Sequence, residues 1–424
     1  MFKKVLFRII TVALVAVFIF ANGSAALAQE GQKFIVSVDN IANFKHKDSG
    51  VFNTPLGSAG PGPALPGSGY AISLYGDPGD YINFATMQVQ SNDWFFGPDE
   101  FGIPLYNADG TPRSGDVTHY VKLWDSGTEG DEPLGQGANQ APRQAGPNSG
   151  PADPNTNVRQ VLRADLPVNQ LVRVTLTPNG GSKFTLTINN ISSGSVASPL
   201  APGVAVVHNT PAPFFINGAP DWGRGLEALA EDGNAGILGS YIAAQTGVNT
   251  PIAPVAWTVH QGSNVLFASG TRASAGLEAL AEDGGPVALV GEINQANKGA
   301  QPIARGASGP GPAFAPAGNY SFEITANAGD NLSLATMFVH SNDWFFGLNG
   351  LPLFDADGNP RNGGVTHLVR VYDAGTEVDQ EPGFGSNQAP RQSGPNTGPS
   401  QGSTIHDTGR NAANYIHVTI TPVN

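Results

Sequence analysis

The sequence predicts an all-β protein of two antiparallel β-sandwich domains in tandem, the second with a short helical insertion. Two observations lead to this prediction. Short runs rich in β-branched and aromatic residues, such as 34–38, 172–177, 184–188 and 416–421, lie between clusters of Gly, Pro, Asn and Asp. This pattern is typical of strands joined by turns. Several sequence blocks also occur twice in the same order, which indicates a duplicated unit.

The first 28 residues have the layout of a secretory signal peptide. Basic residues begin the chain, an apolar run follows at 9–21, and Ala26-Leu27-Ala28 forms an A-x-A cleavage pattern. An uncleaved membrane anchor is the alternative, but the apolar run is short of the roughly 20 residues that cross a bilayer. Cleavage after Ala28 would give a secreted or periplasmic protein, and no later segment is apolar enough for a span.

Composition narrows the classes of partner. Removing the three basic residues of the predicted leader changes the formal net charge from −13 to −16. So acidic a chain is unsuited to nucleic acid, whose phosphates require a basic face, and to docking on anionic lipid. It is compatible with divalent cations. The chain has no cysteine, hence no disulfide framework, which favours a bacterial exported protein over a secreted animal one.

Three sequence blocks define the repeat. They are Ser-Asn-Asp-Trp-Phe-Phe at 91–96 and 341–346, Trp/Tyr-Asp-x-Gly-Thr-Glu at 124–129 and 372–377, and Asn-Gln-Ala-Pro-Arg-Gln at 139–144 and 387–392. The edges repeat as well, because Lys33-Phe34 returns as Lys183-Phe184 and 172–178 returns as 416–422. We therefore predict domains at 32–179 and 182–424, with residues 179–182 as a very short linker.

The second predicted domain is longer because of an insertion at about 201–300 that is itself duplicated. Leu-Glu-Ala-Leu-Ala-Glu-Asp-Gly occurs at 226–233 and again at 277–284. Leu226, Leu229 and Ala230 have helical spacing, and the Asp-Gly that follows suits a helix end. We expect two short helices across an edge or end of the second sandwich, a unit that the first domain lacks.

These blocks resemble the spondin N-terminal domain in its bacterial form, and the resemblance covers nearly the whole mature chain as two copies. It implies an antiparallel β-sandwich with a calcium ion held by loops at one end, and in animal members an extracellular matrix and adhesion role. The first copy departs from the family pattern by lacking the Leu-Glu-Ala-Leu segment. Both copies lack the cysteines of animal members.

The acidic residues near these blocks suit calcium, which takes six to eight oxygen ligands. In Asp125-Ser-Gly-Thr-Glu129, two carboxylates flank a turn that can fold both onto one ion. Asp93 follows the predicted strand 85–90, and would share that end of the sandwich if the strand lies beside the one ending at Trp124. Alternatively, these carboxylates only form turns.

The resemblance implies a specific ligand set for calcium, the only cofactor that we expect. It assigns the metal ligands to Asp93, Asp125 and Glu129 in the first copy and to Asp343, Asp373 and Glu377 in the second. Animal members usually carry aspartate where Glu129 and Glu377 stand. The extra methylene group of glutamate makes these two the least regular members of the set.

Other residues near the repeats have structural interpretations. Asn107-Ala-Asp109-Gly110 and its counterpart 355–358 begin like a calcium loop but lack the later glutamate, so a hairpin turn is the better interpretation. Trp94 and Trp344 are either packed at the sandwich end or exposed for a ligand. We expect Arg143 and Arg391 to brace the acidic loops. The alternative is that they recognise a partner.

The sequence contains no pattern that requires catalysis. Residues 398–402 match G-x-S-x-G in letters, but neither a strand before it nor a helix after it is predicted. We therefore expect a non-catalytic, exported, calcium-binding adhesion or ligand-binding protein with an extracellular protein or glycan partner. The alternatives are an envelope or matrix protein in which calcium only stabilises loops, and a carbohydrate-binding or hydrolytic protein.

Overall fold

A computed structural model of the 424-residue chain describes residues 31–262, 265–296, 305–306, 311–316 and 318–423. The predicted signal peptide, residues 1–28, lies outside the described residues. Within the described part of the chain, no helix combines the length and the apolar character needed to cross a bilayer.

Strands dominate the first half of the chain. They are β1 (Gln32–Asn40), β2 (His46–Phe52), β3 (Gly69–Tyr75), β4 (Tyr81–Gln88), β5 (Trp94–Pro98), β6 (Ile103–Pro104), β7 (Gly115–Asp116), β8 (Val121–Asp125), β9 (Arg159–Gln160), β10 (Val172–Pro178), β11 (Lys183–Asn190) and β12 (Leu200–His208). The helical elements among them are short, namely α1 (Val168–Leu171) and the 3₁₀ turns Thr118–Tyr120 and Gly194–Val196.

The second half begins with helices and continues with strands. The helices are α2 (Leu226–Asp232), α3 (Ala235–Ala243), α4 (Ala275–Asp283) and α5 (Pro286–Ala296), with 3₁₀ turns at Thr366–Leu368 and Ala412–Asn414. The strands are β13 (Ala256–His260), β14 (Arg305–Gly306), β15 (Asn319–Ala326), β16 (Asn331–Met337), β17 (Trp344–Pro352), β18 (Gly363–Gly364), β19 (Arg370–Asp373), β20 (His406–Asp407) and β21 (Ile416–Val423).

The strands form four sheets that pack in two pairs. In the first sandwich, the sheet β3-β11-β10-β7 faces β2-β12-β4-β5-β8-β9 across one apolar core. In the second, β15-β1-β21-β18 faces β14-β13-β16-β17-β19-β20 across another. The strand ladders within these sheets are antiparallel, so the predicted all-β class with antiparallel sandwiches is confirmed.

The two kinds of sheet differ in how many faces they bury. β11 alternates between buried and half-buried residues along its length, as expected of a strand with one face toward the core. β4 and β12 are buried at almost every position, because the core covers one face of their sheet and helices cover the other. Helices α2 and α3 pack on the outer face of the larger sheet in the first sandwich, and α4 and α5 do so in the second.

Strand pairing divides the chain differently from the predicted boundaries 32–179 and 182–424. β1, the predicted opening strand of the first domain, lies between β15 and β21 in the second sandwich, with Val36 opposite both Phe322 and Ile420. β11, the predicted opening strand of the second domain, lies between β3 and β10 in the first sandwich. The two sandwiches have therefore exchanged their opening strands.

The turn at 179–182 explains this exchange. The predicted linker is a β-hairpin turn in which the Asn179 amide donates to the Lys183 carbonyl at 2.8 Å. Gly180 and Gly181 adopt positive φ angles of 90° and 56°, which suit a tight hairpin. Because the turn reverses the chain, β11 must pair with β10 and remain in the first sandwich.

The helical unit is likewise placed differently from prediction. The expectation that the first sandwich lacks it is wrong, because α2 and α3 cover that sandwich and only α4 and α5 belong to the second. Both Leu-Glu-Ala-Leu segments end as predicted, at Gly233 and Gly284 in the left-handed conformation. The duplicated insertion thus supplies one helical pair to each sandwich.

Candidate metal centre

Each sandwich brings carboxylates together where two neighbouring strands of its larger sheet end. Asp93 directly precedes β5, and Asp125 ends β8; Trp94 lies opposite Asp125 in this antiparallel pair. In the second sandwich Trp344 lies opposite Asp373, so that Asp343 takes the same place. The strand register therefore confirms that Asp93 and Asp125 share one end of the sandwich, although through β5 rather than the predicted strand 85–90.

A third aspartate completes each cluster. Carboxylate oxygens of Asp93, Asp125 and Asp131 lie within 4.8 Å of one another, and the same holds for Asp343, Asp373 and Asp379. The first two members of each group are buried and the third is exposed. Oxygens on opposite sides of a calcium ion are separated by about 5 Å, twice a bond length of about 2.3–2.6 Å, so this spacing suits one shared ion.

The first carboxylate of each cluster is held rigidly through one oxygen. Asp93 Oδ2 accepts hydrogen bonds from the Thr128 amide at 2.8 Å, the Glu129 amide at 3.2 Å and the Ser126 hydroxyl at 3.0 Å. The other oxygen, Oδ1, is buried and has no hydrogen-bond partner among the described residues. A buried carboxylate oxygen without a partner is costly unless a cation or proton satisfies it.

The second cluster repeats this arrangement. Asp343 Oδ2 accepts from the Thr376 amide at 2.6 Å and the Glu377 amide at 3.1 Å. Its Oδ1 is again buried without a hydrogen-bond partner in the described part of the chain. The same unpartnered oxygen occurs in both copies and suits a site for a cation, and a donor set of oxygens suits calcium.

The glycine of each Asp-x-Gly turn positions the second carboxylate. Gly127 has a φ of +73°, and its amide donates to Asp125 Oδ1 at 2.8 Å. Gly375 has a φ of +71°, and its amide donates to Asp373 Oδ1 at 2.6 Å. Because glycine adopts this conformation without strain, the turn can fold back and keep the carboxylate at the strand end.

The predicted third ligands, Glu129 and Glu377, do not join the clusters. Glu129 is buried, and its carboxylate accepts from the Gly150 amide at 2.5 Å and from the Asn92 side chain at 3.3 Å. Glu377 binds the Gly398 amide and Asn342 in the same way. A side chain at Gly150 or Gly398 would collide with the glutamate. Glu129 and Glu377 therefore each hold a long loop in place. Asp131 and Asp379, two residues later, take the third position in the clusters.

The repeat contains a sign of Asp131 and Asp379 that the prediction did not use, namely their equal spacing in the two copies. Both stand two residues after the Thr-Glu of the repeat, although the residue between differs. The exposed Asp379 is also held in place, since the indole nitrogen of Trp344 donates to its Oδ1 at 2.8 Å. Trp94 and Trp344 are themselves buried, as expected of residues packed at the sandwich end.

The helical motif contributes a further carboxyl group behind each cluster. Glu231 of α2 and Glu282 of α4 are buried, and both oxygens of Glu231 lack a hydrogen-bond partner within the described residues. Burial raises the pKa of each to about 7, and the charges of Glu129 and Glu377 respectively add to the shift. Sequence reasoning missed them because the motif looked only like an amphipathic helix.

The electrostatics of the clusters favour a bound cation. Burial and the charge of Asp93 raise the pKa of Asp125 to about 7. Burial and the charges of Asp343 and Asp379 raise the pKa of Asp373 to about 7. Burial also raises the pKa of Asp93. At neutral pH the aspartates of each cluster repel one another in a poorly solvated site, a cost that Arg159 partly offsets in the first cluster and that a divalent ion would reverse.

The remaining predicted residues have structural roles. Asp109 is exposed and accepts from the Thr111 amide at 2.9 Å, and the Asn107 amide donates to the Thr111 carbonyl at 2.8 Å. This confirms the hairpin turn at 107–110. Arg143 donates to the Gly137 carbonyl at 2.7 Å and so braces its loop. Arg391 binds the Gly383 carbonyl and, across to the first sandwich, Asp77.

We expect the cation-free protein to lose stability as pH rises from about 5 to about 8. Four carboxyl groups, of Asp125, Asp373, Glu231 and Glu282, have a folded-state pKa of about 7, well above their unfolded values. The folded chain therefore keeps protons that the unfolded chain has released, and unfolding becomes easier as pH rises. A loss of about 2 kcal/mol would lower the melting temperature by about 4–8 °C.

Thermal unfolding in EDTA at the two pH values measures this effect, and the double variant Asp125→Asn, Asp373→Asn should show a shallower dependence. Added calcium should raise the melting temperature more at the higher pH, where fewer protons compete. A melting temperature in EDTA that stays level or rises over this range would contradict the burial of these groups.

Comparison with known proteins bears on the second sandwich. Residues 249–403 match the family model described as Spondin_N, the spondin N-terminal domain. This segment contains the second copy of all three repeated blocks and the complete cluster Asp343, Asp373 and Asp379. No curated protein matches the chain. The family match therefore covers one copy, and the duplication rests on the repeated blocks and on the matching sheet orders of the two sandwiches.

Proposed function

We propose, starting from the Spondin_N match over 249–403, that this is an exported, non-catalytic binding protein whose two acidic clusters each hold one calcium ion. One observation carries the calcium assignment. Asp93 and Asp343 each bury a carboxylate oxygen that has no hydrogen-bond partner among the described residues, and each lies within a cluster of three aspartates. Such an oxygen is explained by a cation that two other carboxylates share.

The chemistry of the donors selects calcium among common metal ions. The ligand atoms grouped in each cluster are carboxylate oxygens, which hard cations prefer, whereas zinc sites draw mainly on cysteine and histidine. Calcium tolerates irregular geometry and fills its remaining positions with carbonyl oxygens and water. Magnesium requires near-ideal octahedral geometry, keeps most of its water and is usually bound through one or two carboxylates, so a cluster of three aspartates suits it less.

Calcium at this position would order the loops that a ligand could meet. The ion would join the loop before β5 to the loop after β8, since the three aspartates come from these two segments. Glu129 and Glu377 already fasten the far ends of the longer loops to Gly150 and Gly398. We therefore propose that these sandwich ends form the adhesive or ligand-binding surface, acting outside the cytoplasm on a protein or glycan partner.

The geometry also supports a non-catalytic role. A glycosidase-like pair would need two carboxyl groups free to transfer protons or attack a substrate. Glu129, a carboxylate near Asp93, uses both oxygens to accept from the Gly150 amide and the Asn92 side chain. Asp93 likewise commits one oxygen to backbone amides. The carboxylates of Asp93 and Glu129 therefore hold loops in place and are not arranged to act on a bond of a substrate.

Calorimetric titration of calcium tests this proposal. We expect the protein stripped of divalent cations to show two binding events, and the variant Asp125→Asn, Asp373→Asn to lose both. Asparagine keeps the oxygen that accepts the Gly127 or Gly375 amide, so the turn should fold while the charge at the ion is lost. The bound ions should also raise the melting temperature, by mass action.

The matched control is Asp109→Asn, Asp357→Asn, which removes two carboxylates from exposed hairpin turns. This variant should bind calcium like the wild type. Absence of heat and of stabilisation at about 1 mM calcium, where extracellular modules bind, would show that the aspartates are turn formers. Equal binding by the Asp125, Asp373 variant would place the ions elsewhere.

A further inference from the structure

A second candidate site lies between the two sandwiches, and none of the cluster aspartates is among its lining residues. A cavity of about 210 Å³ is lined by the segment entering β2, by the connection from α3 to β13, and by the loop 383–391 of the second sandwich. Its walls therefore come from both sandwiches, and such junctions are frequent positions for small-molecule sites. The volume is below the roughly 300–1,000 Å³ typical of drug-sized ligands, so the occupant must be small.

The cavity is cationic in an otherwise acidic chain. Lys45, Lys47 and Arg391 line it, and Asp77 is the only carboxylate among its lining residues. Arg391 pairs with Asp77 at 2.7 Å, and Lys47 pairs with Asp80 at 3.0 Å. Lys45 forms no ion pair within the described residues. Its charge is therefore available to an anion that enters the cavity.

A buried histidine adds an unsatisfied polar atom. His46 lines the cavity, is 6% exposed, and its Nδ1 has no hydrogen-bond partner in the described part of the chain. Burial, followed by the neighbouring His208 and then Lys45, lowers the pKa of His46 to about 4. The ring is therefore neutral at neutral pH, and one of its nitrogens is a hydrogen-bond donor.

Two aromatic rings give the cavity apolar walls. Phe44 and Phe384 line it, and each is fixed by a second ring, Tyr415 at 5.4 Å and Tyr75 at 5.6 Å between centroids. Rings with cations beside them suit an anion carried on an organic framework better than a bare inorganic ion, because the framework gains apolar contact.

We propose that this cavity binds a small organic carboxylate of about the size of one sugar, with the carboxylate at Lys45 and the framework between Phe44 and Phe384. A uronic acid has this chemistry, either free or as the end of an acidic glycan. Its lining residues include none of the cluster aspartates, so each proposal can fail without the other.

Calorimetry with glucuronate at low ionic strength and saturating calcium tests the proposal. We expect glucuronate to bind, glucose not to bind, and inorganic sulfate to bind more weakly than glucuronate. Lys45→Gln should weaken glucuronate binding about tenfold, the effect of losing one charge-assisted hydrogen bond. The matched control Lys33→Gln removes an exposed lysine of β1 that pairs with Glu323 of β15 and should change nothing.

A second variant is needed in case Lys45→Gln loses binding only because the cavity misfolds locally. Asn209 is an exposed residue at the cavity, so Asn209→Trp should occlude it without removing charge and should abolish binding at an unchanged melting temperature. Methyl glucuronide distinguishes the two possible forms of the ligand. If it binds as tightly as glucuronate, the natural ligand is the end of a glycan; if it does not bind, the natural ligand is the free acid. Absence of glucuronate binding, equal binding by Lys45→Gln, or sulfate binding as tightly as glucuronate would overturn the proposal.

Discussion

Replacing Phe34 by alanine is expected to destabilise the second sandwich by about 3–5 kcal/mol, the usual cost of deleting a fully buried phenylalanine. Phe34 lies on β1, near the beginning of the described chain, yet its side chain is fully buried in the core of the second sandwich, against Phe354 at 5.7 Å. Hydrogen exchange should report the loss as reduced protection in β15 and β21, with β10 unaffected.

The chain contains its own matched control. Phe184 is the corresponding residue of the repeat, and it is buried in the core of the first sandwich. Phe184→Ala should therefore reduce protection in β3 and β10 and leave β21 unchanged. If Phe34→Ala instead reduces protection in the first sandwich, the exchange of opening strands is wrong and the contiguous domains 32–179 and 182–424 are right.

The second large effect concerns an inequality between the two acidic clusters. Arg159 of β9 lies opposite Asp125, and its guanidinium pairs with Asp125 and, at 2.6 Å, with Asp153. In the second cluster the same position is His406, whose Nε2 lies 3.6 Å from Asp373. A calcium ion in the first cluster must share Asp125 with a permanent cation, so we expect the second cluster to bind calcium about 10–100 times more tightly at pH 8.

Exchanging the two residues tests this expectation. Each cluster can be measured alone by silencing the other with Asp373→Asn or Asp125→Asn. In these backgrounds Arg159→His should tighten the first site and His406→Arg should weaken the second, by similar factors. Arg173→Gln serves as the control, since Arg173 of β10 pairs with the exposed Asp116. Equal affinities at the two wild-type sites would show that Arg159 swings away when calcium enters.

Local patterns made the fold class predictable, but not the assignment of strands to sandwiches. The alternation in β11 and the apolar runs of β4 and β12 follow from which faces are buried. The choice of partner for β1 depends on edges that are far apart in sequence, which periodicity does not encode. The Gly180-Gly181 turn was the one local clue, since two glycines between alternating runs favour a hairpin over a linker.

The site was predictable to the extent that it follows strand ends. Asp93 and Asp125 could be placed together because each stands beside a strand, whereas Glu129 was carried over by resemblance and its side chain turned out to hold Gly150. Comparing the two copies position by position would have indicated Asp131 and Asp379. No local pattern could have shown that α2 and α4 bring Glu231 and Glu282 behind the clusters, because that depends on how the helices pack.

The position of β1 has a consequence for the order in which the molecule assembles. All strands of the first sandwich and its two helices lie within residues 46–243, so this half can complete itself from a contiguous stretch. The second half needs β1 between β15 and β21, and nearly the whole described chain lies between Val36 and its partner Ile420. Closing so long a loop is entropically costly and slow. The second sandwich should therefore form last, with β1 left unpaired beside an already folded neighbour until β21 is in place.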